Sequence, residues 1–167
     1  MHDELTRVDM DKLRRELEYR EKELMPQILE EVKTARSFGD LSENFEYKAA
    51  KAEQRKNMSR IRYLKQMLAS AVVIDADSAG DVAGLFDTVG LFLEDDEEEI
   101  TVRFVTTLRQ NALEGLISKE SPLGQAVLGH KVGERVYVQV SNEYGYWAVI
   151  RSIEKGTDDE SLEISAY

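Results

Sequence analysis

Asp40 and Glu43, two carboxylates three residues apart, are the residues of this sequence whose types and spacing best suit chemistry. They follow Gly39 in the stretch SFGDLSEN, between two long runs with helical periodicity. Mg²⁺ is usually held by one or two carboxylates together with waters and substrate phosphates. The pair could therefore hold a divalent cation only jointly with ligands from a partner, as in two-metal phosphoryl chemistry. We expect the free protein to bind no cofactor stably.

The same residues also match a purely structural pattern. D-L-S-E fits a capping box, in which the side chain of Asp40 accepts a backbone hydrogen bond and Glu43 reaches back to the cap. Both negative charges would also favour the positive end of the helix dipole. The spacing alone leaves a helix cap and a metal-ligating pair open as interpretations.

A row of cations follows the acidic pair. It consists of Lys48, Lys51, Arg55 and Arg62. Offsets of 3, 4 and 7 residues place them on one helical face, with Lys56 and Arg60 nearby. Such a face suits a segment that approaches a nucleic-acid backbone, although a solvated helix flank has the same pattern. We interpret the aromatic residues Phe45, Tyr47 and Tyr63 as packing between helices rather than as platforms for base stacking.

Two long helices must position these groups. Apolar residues recur at helical intervals over 9–38 and again over 41–70, where they include Phe45, Met58 and Leu64. Two such helices joined by a short turn at Gly39 predict an antiparallel coiled-coil hairpin within residues 1–74, with the acidic tip near 37–47. Pro26 lies inside the first helix and predicts a bend near residues 22–26.

The second half of the chain has a different character. Residues 1–74 carry 15 basic and 14 acidic side chains, whereas residues 75–167 carry 7 and 19. A linker is predicted over 75–84, a small α+β domain with an antiparallel sheet over 85–155, and a loose acidic tail over 156–167, with Leu162 and Ile164 as possible anchors. The predicted strands are TVGLFL, ITVRFVT, RVYVQV and YWAVIRSI. The overall prediction is an α+β fold.

A short helix is predicted within SPLGQAVLGHKVG. Ser121 suits its N-cap, Pro122 its first position and Gly129 its end. Free duplex DNA is disfavoured as a ligand, because the second half lacks a basic footprint. The two histidines and the absence of cysteine exclude a histidine-based or thiolate metal site. The N-terminal stretch has no signal-peptide pattern and no apolar run could span a membrane, so we expect a cytoplasmic protein and, most simply, a monomer.

Two segments resemble a known family. ARSFGDLSENFEY is similar to the tip of the Gre transcript cleavage factors of bacterial RNA polymerase, whose pattern is AR..GDL.EN.EY. LISKESPLGQAVLGHKVGERVYV is similar to the SPLGRALLGK.VGD segment of the same family. The resemblance covers nearly the whole chain, in the family's order.

The resemblance implies a function that the pattern alone does not. In the family, the coiled coil enters the secondary channel of a backtracked polymerase and an FKBP-like C-terminal domain docks at the channel entrance. Asp40 and Glu43 would help retain a second Mg²⁺ shared with the polymerase active site, which then cuts the nascent RNA. Ser42 and Asn44 would support the tip, and the basic row would lie near the RNA 3′ segment or the channel wall. Ser121 and Pro122 would dock on the polymerase.

The sequence also departs from the family pattern. Met25-Pro26 replaces an Arg-Pro pair, and TTLRQNALEGL, around Leu108 to Ala112, replaces an acidic stretch. Glu120 stands where the family often has Asp, and the tail is longer than usual. Three functions remain open: a transcript cleavage factor, a channel binder that inhibits without promoting cleavage, and a coiled-coil protein unrelated to polymerase. The intact GDLSEN segment favours the first.

Overall fold

The computed structural model describes residues 3–39 and 44–165 and divides the chain into two compact units. The first contains Met10–Val72, and the second contains Glu4–Asp9 with the chain from Val73 onward. The predicted α+β fold is confirmed, with helices in the first unit and a five-stranded sheet in the second. No helix in the described part of the chain is long and apolar enough to cross a membrane.

The first unit is a helical hairpin. Its helical segments are α1 (Arg7–Tyr19), a π-helical segment (Arg20–Leu24), α2 (Met25–Arg36) and α3 (Phe45–Ser70). Just before Pro26, where the sequence predicts a bend, the chain forms the wider π-helical segment, and the Met25 N–H donates to the Arg20 carbonyl. Proline has no N–H to donate, so the wider turn absorbs its effect without ending the helix.

The buried face of the first helical run matches the prediction, whereas that of α3 matches it at Leu64 but not at Phe45 or Met58. Phe45 and Met58, predicted to pack between the helices, are 81% and 47% exposed. The buried residues of α3 are Ala50, Asn57, Arg60 and Leu64. Ala50, Asn57 and Leu64 recur every seven residues, as in a coiled-coil seam. The apolar pattern failed because two of the four buried positions hold polar side chains.

Those polar side chains are paired across the hairpin. Asn57 accepts from Arg20 Nη1 at 2.9 Å and donates to the Arg20 carbonyl at 3.3 Å. Glu16 accepts from Arg60 Nε at 2.9 Å and from Arg60 Nη2 at 3.0 Å. Glu16 also accepts from Arg20 Nε at 2.8 Å. These bonds link the first helical run to α3 in antiparallel register.

Glu16 makes the stability of the hairpin depend on pH. Burial alone would raise the pKa of Glu16, but hydrogen bonds from Arg60 and Arg20 hold it below the ordinary value of 4.5. A depressed pKa stabilises the fold above the unfolded pKa, and this contribution disappears as the pH falls through the folded pKa. We expect Glu16→Gln to lower the free energy of unfolding by about 1–2 kcal/mol at pH 7 and by less below about pH 4.5.

Urea unfolding between pH 7 and pH 4 measures this difference. Glu18→Gln is the matched control, because Glu18 pairs with Lys22 on an exposed surface and such pairs contribute little. A difference between wild type and Glu16→Gln that stays constant over this range would contradict the assignment.

The second unit is built on a five-stranded sheet with the order β5-β4-β3-β7-β6. Its strands are β3 (Thr88–Leu93), β4 (Glu98–Val105), β5 (Leu116–Ser118), β6 (Arg135–Gln139) and β7 (Gly145–Glu154). The four predicted strands are present, and their neighbouring pairs are antiparallel. β5 was not predicted and runs parallel to β4, so the sheet is mixed. Three residues are too few to show a periodicity.

The core of this unit lies on one face of the sheet. It includes Val89, Phe104, Val127, Val138 and Ile150, all fully buried. Helix α4 (Pro122–Val127) packs on this core through Val127, with Leu123 and Ala126 at its edge. The short strands β1 (Glu4–Leu5) and β2 (Val72–Val73) form a separate two-stranded sheet.

The predicted linker and tail are both held in place. In the linker, Lys155 Nζ donates to Ser78 Oγ at 2.7 Å and to the Val82 carbonyl at 3.0 Å, and Ala83 joins the core. In the tail, the Ser165 N–H donates to the Leu108 carbonyl at 2.7 Å. Leu162, one predicted anchor, packs against the cluster that contains Leu85, Phe86, Val105 and Leu116. The prediction of a loose tail is therefore wrong.

Candidate functional site

The predicted acidic tip falls, along the chain, where α2 ends and α3 begins. Asp40, Ser42 and Glu43 fall outside the described residues, while Gly39 and Asn44 border them. Gly39 has a φ of 112°, in the left-handed region that favours glycine. Glycine there lets the chain leave α2 and turn toward α3 without steric cost.

Asn44 fixes the start of α3. Its Oδ1 accepts from the Tyr47 N–H at 3.0 Å, as an N-cap does. Its Nδ2 donates to the Ala35 carbonyl at 2.6 Å, near the end of α2, where the Phe38 N–H also donates to this carbonyl at 3.2 Å. Of the two interpretations that the spacing leaves open, the one in which Asp40 caps α3 is therefore wrong, because this helix begins at Phe45 and Asn44 is its cap.

Removal of the Asn44 side chain should destabilise the hairpin. We expect Asn44→Ala to cost about 2 kcal/mol, about 1 for the cap and about 1 for the bond to Ala35. Asn44→Asp should lose only part of this, since it keeps the cap acceptor and loses the donor. Urea denaturation checks both, with Asn142→Ala in an exposed turn as the control, expected within about 0.5 kcal/mol of wild type. Equal losses of unfolding free energy in Asn44→Ala and Asn44→Asp would contradict the assignment of Asn44 as the cap.

The structure places the predicted basic row on one side of α3. Lys48, Arg55 and Arg62 are exposed, and Lys51 is half-buried and donates to Gln54 Oε1 at 3.0 Å. We call these four residues the basic face. Arg60 does not belong to it, because its guanidinium turns into the hairpin and pairs with Glu16.

An acidic groove opens between α2 and α3 near the turn. Its volume is about 500 Å³ and its floor is apolar. The lining residues are Glu30, Glu31, Thr34, Ala35, Phe38, Glu46, Ala49, Ala50 and Glu53. Helical spacing puts Glu46 and Glu53 on the side of α3 opposite the basic face. A polyanion that approaches the hairpin would therefore be attracted to the basic face and repelled by the groove.

The three aromatic residues near the basic face divide into two groups. Tyr47 packs against Ile28, Val32 and Ala50, as predicted. A hydrogen bond from Arg36 lowers the pKa of Tyr47. Tyr63 is half-buried under the guanidinium of Arg60. Phe45 is 81% exposed, so the interpretation of Phe45 as packing between the helices is wrong.

The predicted docking segment has the expected local structure. Ser121 caps α4, and its Oγ accepts from the Gly124 N–H at 3.0 Å and donates to the Ser118 carbonyl at 2.7 Å. Pro122 occupies the first helical position and is exposed. Gly124 is required here, since a Cβ would lie 2.6 Å from the Lys119 carbonyl oxygen. Ser121 and Pro122 are thus held rigidly at the surface.

A groove of about 370 Å³ lies beside this segment. It is lined by Glu120, Pro122, Gln125, Ala126, Tyr137 and Gln139. Tyr137 packs against Trp147, and Arg135 stacks 3.9 Å above the Trp147 ring while it pairs with Glu94. The sequence analysis missed this aromatic surface. Its signal was the alternation in RVYVQV, which turns Tyr137 outward between two buried valines.

Within residues 3–39 and 44–165, no cluster of three or more acidic, histidine or cysteine side chains could hold a metal ion. The candidate ligands Asp40 and Glu43 fall outside this range. As a donor set, two carboxylates suit Mg²⁺ only when water or substrate oxygens complete its shell.

Two family models match successive parts of the chain. The model for transcription elongation factors, N-terminal, matches residues 4–73, and the model for transcription elongation factors, GreA/GreB, C-terminal, matches residues 78–155. The transcription elongation factor GreA of Geobacillus kaustophilus is 41% identical over 136 residues, which cover 81% of this chain and 86% of that protein. GreA of Thermotoga maritima is 38% identical over 151 residues, which cover 90% and 97%.

A solved structure is also similar. GreA factor homolog 1 (Gfh1) of Thermus thermophilus is 24% identical with a TM-score of 0.44, and the match covers 93% of this chain and 100% of that one. A TM-score of 0.44 is too low to contribute to the family assignment, which rests on the sequence matches. By those matches, the chain belongs to the GreA/GreB family of transcription elongation factors.

Proposed function

We propose that this protein binds the secondary channel of bacterial RNA polymerase and stimulates the polymerase's own Mg²⁺-dependent cleavage of backtracked RNA. One observation carries the proposal. The turn that bears Asp40 and Glu43 adjoins a helix that is already capped by Asn44 and that presents a cationic face. The acidic pair is therefore not needed to start α3, and the residues behind it suit a phosphate backbone.

Each part of the chain then has a role. Asp40 and Glu43 would contribute carboxylate oxygens to a metal whose other ligands come from the polymerase and the RNA, with Ser42 and Asn44 supporting the turn. A Mg²⁺ held there would stabilise charge on the phosphoryl oxygens and activate a water. The protein itself is not an enzyme in this scheme, since the polymerase supplies the active site.

The basic face and the docking segment would hold the complex together. Lys48, Lys51 and Arg55 would neutralise phosphates of the nascent RNA 3′ segment, and Arg62 would face the RNA or the channel wall. Ser121 and Pro122 would contact the polymerase at the channel entrance, where the groove beside them and the Tyr137–Trp147 pair offer an apolar surface. Such a partner places the protein in the cytoplasm, and one copy per channel suits a monomer.

The test is RNA cleavage in a stalled, backtracked polymerase complex with Mg²⁺, with and without the protein. Faster cleavage at unchanged polymerase concentration supports the proposal. Binding to the polymerase without faster cleavage would make the protein a channel occupant that inhibits or regulates. Absence of binding would reject both functions.

A further inference from the structure

We propose that Phe45 stacks on a nucleobase of the RNA that lies along the basic face. This inference rests on the proposed function, because it takes single-stranded RNA as the ligand of the hairpin. It adds an aromatic contact to the cationic ones and assigns it to a residue that the sequence analysis placed between the helices.

Phe45 is presented to solvent by its position in the hairpin. It is the first residue of α3, directly after the cap, and 81% of it is exposed. The cap residue Asn44 is held by its bonds to Tyr47 and Ala35, so the backbone that carries Phe45 is fixed. The neighbouring Tyr47 already fills the space between the helices. A rigid, exposed aromatic ring can bind a planar ligand with little loss of conformational entropy.

The Phe45 ring also contacts the basic face. Lys48 Nζ lies 5.8 Å from the centroid of the Phe45 ring, one helical turn away. Proteins that bind single strands combine a cationic track with aromatic rings on which bases stack. Here the ring stands at one end of the track and next to the turn that carries Asp40 and Glu43.

The dimensions of the basic face fit a short piece of single strand. Lys48, Lys51 and Arg55 lie along seven residue steps of the helix, or about 10 Å at 1.5 Å per step. A stacked strand advances about 3.4 Å per phosphate, so about four phosphates span this distance, enough to place one beside each of the three cations. A base at the end of this segment would then lie beside Phe45. The acidic groove on the opposite side disfavours the same strand there.

The experiment measures binding of labelled protein to a backtracked polymerase complex by fluorescence anisotropy. The RNA carries either a normal or an abasic nucleotide next to the scissile phosphate, the position that would lie beside the turn and Phe45. The proteins are wild type, Phe45→Ala and Phe45→Leu, since leucine keeps the apolar bulk but has no aromatic face. Leu29→Ala, at an exposed apolar residue of α2, is the control. Urea midpoints verify that each variant is folded.

With normal RNA, we expect Phe45→Ala and Phe45→Leu to raise the Kd about tenfold, which corresponds to loss of one base stack. Leu29→Ala should leave it unchanged. With abasic RNA, the Kd of the wild-type protein should rise by a similar factor, and the Phe45 variants should have the same Kd as the wild type. Removal of the ring should therefore weaken binding only when the base is present, and this dependence of one loss on the other is expected for stacking.

Other outcomes overturn the inference. A Phe45→Leu protein that binds like wild type, or a Phe45→Ala loss that is the same on abasic RNA, would place Phe45 in an apolar pocket of the polymerase. Cleavage measured on the same complexes separates this failure from failure of the proposed function. Stimulated cleavage without base coupling rejects only the stacking, whereas binding without cleavage rejects the proposed function.

Discussion

Asp40→Asn is expected to reduce stimulated RNA cleavage by about 100-fold or more and to change polymerase affinity by less than about twofold. Asparagine keeps the size of the side chain and a carbonyl oxygen but removes the negative charge that Mg²⁺ prefers. Glu43→Gln should have the same effect for the same reason. Neither substitution touches the docking segment at Ser121 and Pro122. Single-turnover cleavage and anisotropy on one backtracked complex measure both quantities.

The controls for this experiment separate metal binding from helix capping. Asp11→Asn removes an exposed carboxylate of α1 and should change neither quantity. Because Asn44 caps α3, Asp40→Asn should change the free energy of unfolding by less than about 0.5 kcal/mol. Raised Mg²⁺ should restore part of the lost cleavage. Normal cleavage, or equal losses of binding and cleavage, would contradict the assigned role.

Local sequence signals predicted much of this fold correctly. Ser121 and Pro122 were predicted to start α4, and the four long strands were found from their alternating patterns. These signals depend on neighbours within one turn or one strand, so they can be read from the chain itself. The identity of the candidate metal ligands, by contrast, came from resemblance, because D-L-S-E fits a cap equally well.

Contacts between distant residues were the ones that sequence patterns missed. The burial of Asn57 and Arg60 depends on Arg20 and Glu16, which lie across the hairpin. Asn44 was expected only to support the tip, and its cap could not be chosen over Asp40 without the position of Ala35. β5 is defined by its parallel partner β4 rather than by its own three residues.

Arg109 is the largest fully buried side chain, and its contacts too lie between residues that are distant in the sequence. It lies in the segment that replaces an acidic stretch of the family pattern, yet it is fully buried in the second unit. Its Nε lies 2.7 Å from Asp9 Oδ1, an ion pair without an aligned hydrogen bond. Nη2 donates to Asp158 Oδ1 at 2.5 Å and Nη1 to the Asp159 carbonyl at 3.0 Å. The guanidinium also stacks 4.6 Å above Phe86.

Arg109 thus fastens both the 4–9 segment and the C-terminal residues to the sheet unit. This explains why the tail is ordered although its own sequence is polar and acidic. An arginine satisfies two carboxylates and a carbonyl through its several donors, which a lysine in the same place could not match in geometry.

Arg109→Met should therefore destabilise the protein by about 3–5 kcal/mol, because it removes the cationic partner of the buried Asp9 and of the half-buried Asp158. Adding Asp9→Asn should recover part of that loss, since it removes one of the uncompensated charges. Thermal unfolding measures both variants, and amide exchange over 156–165 should rise with Arg109→Met. The control is Arg151→Met, at an exposed arginine that stacks on Phe92, where we expect a loss below about 1 kcal/mol. An equally small loss for Arg109→Met would mean that the tail is held by Leu162 and Ser165 without the arginine.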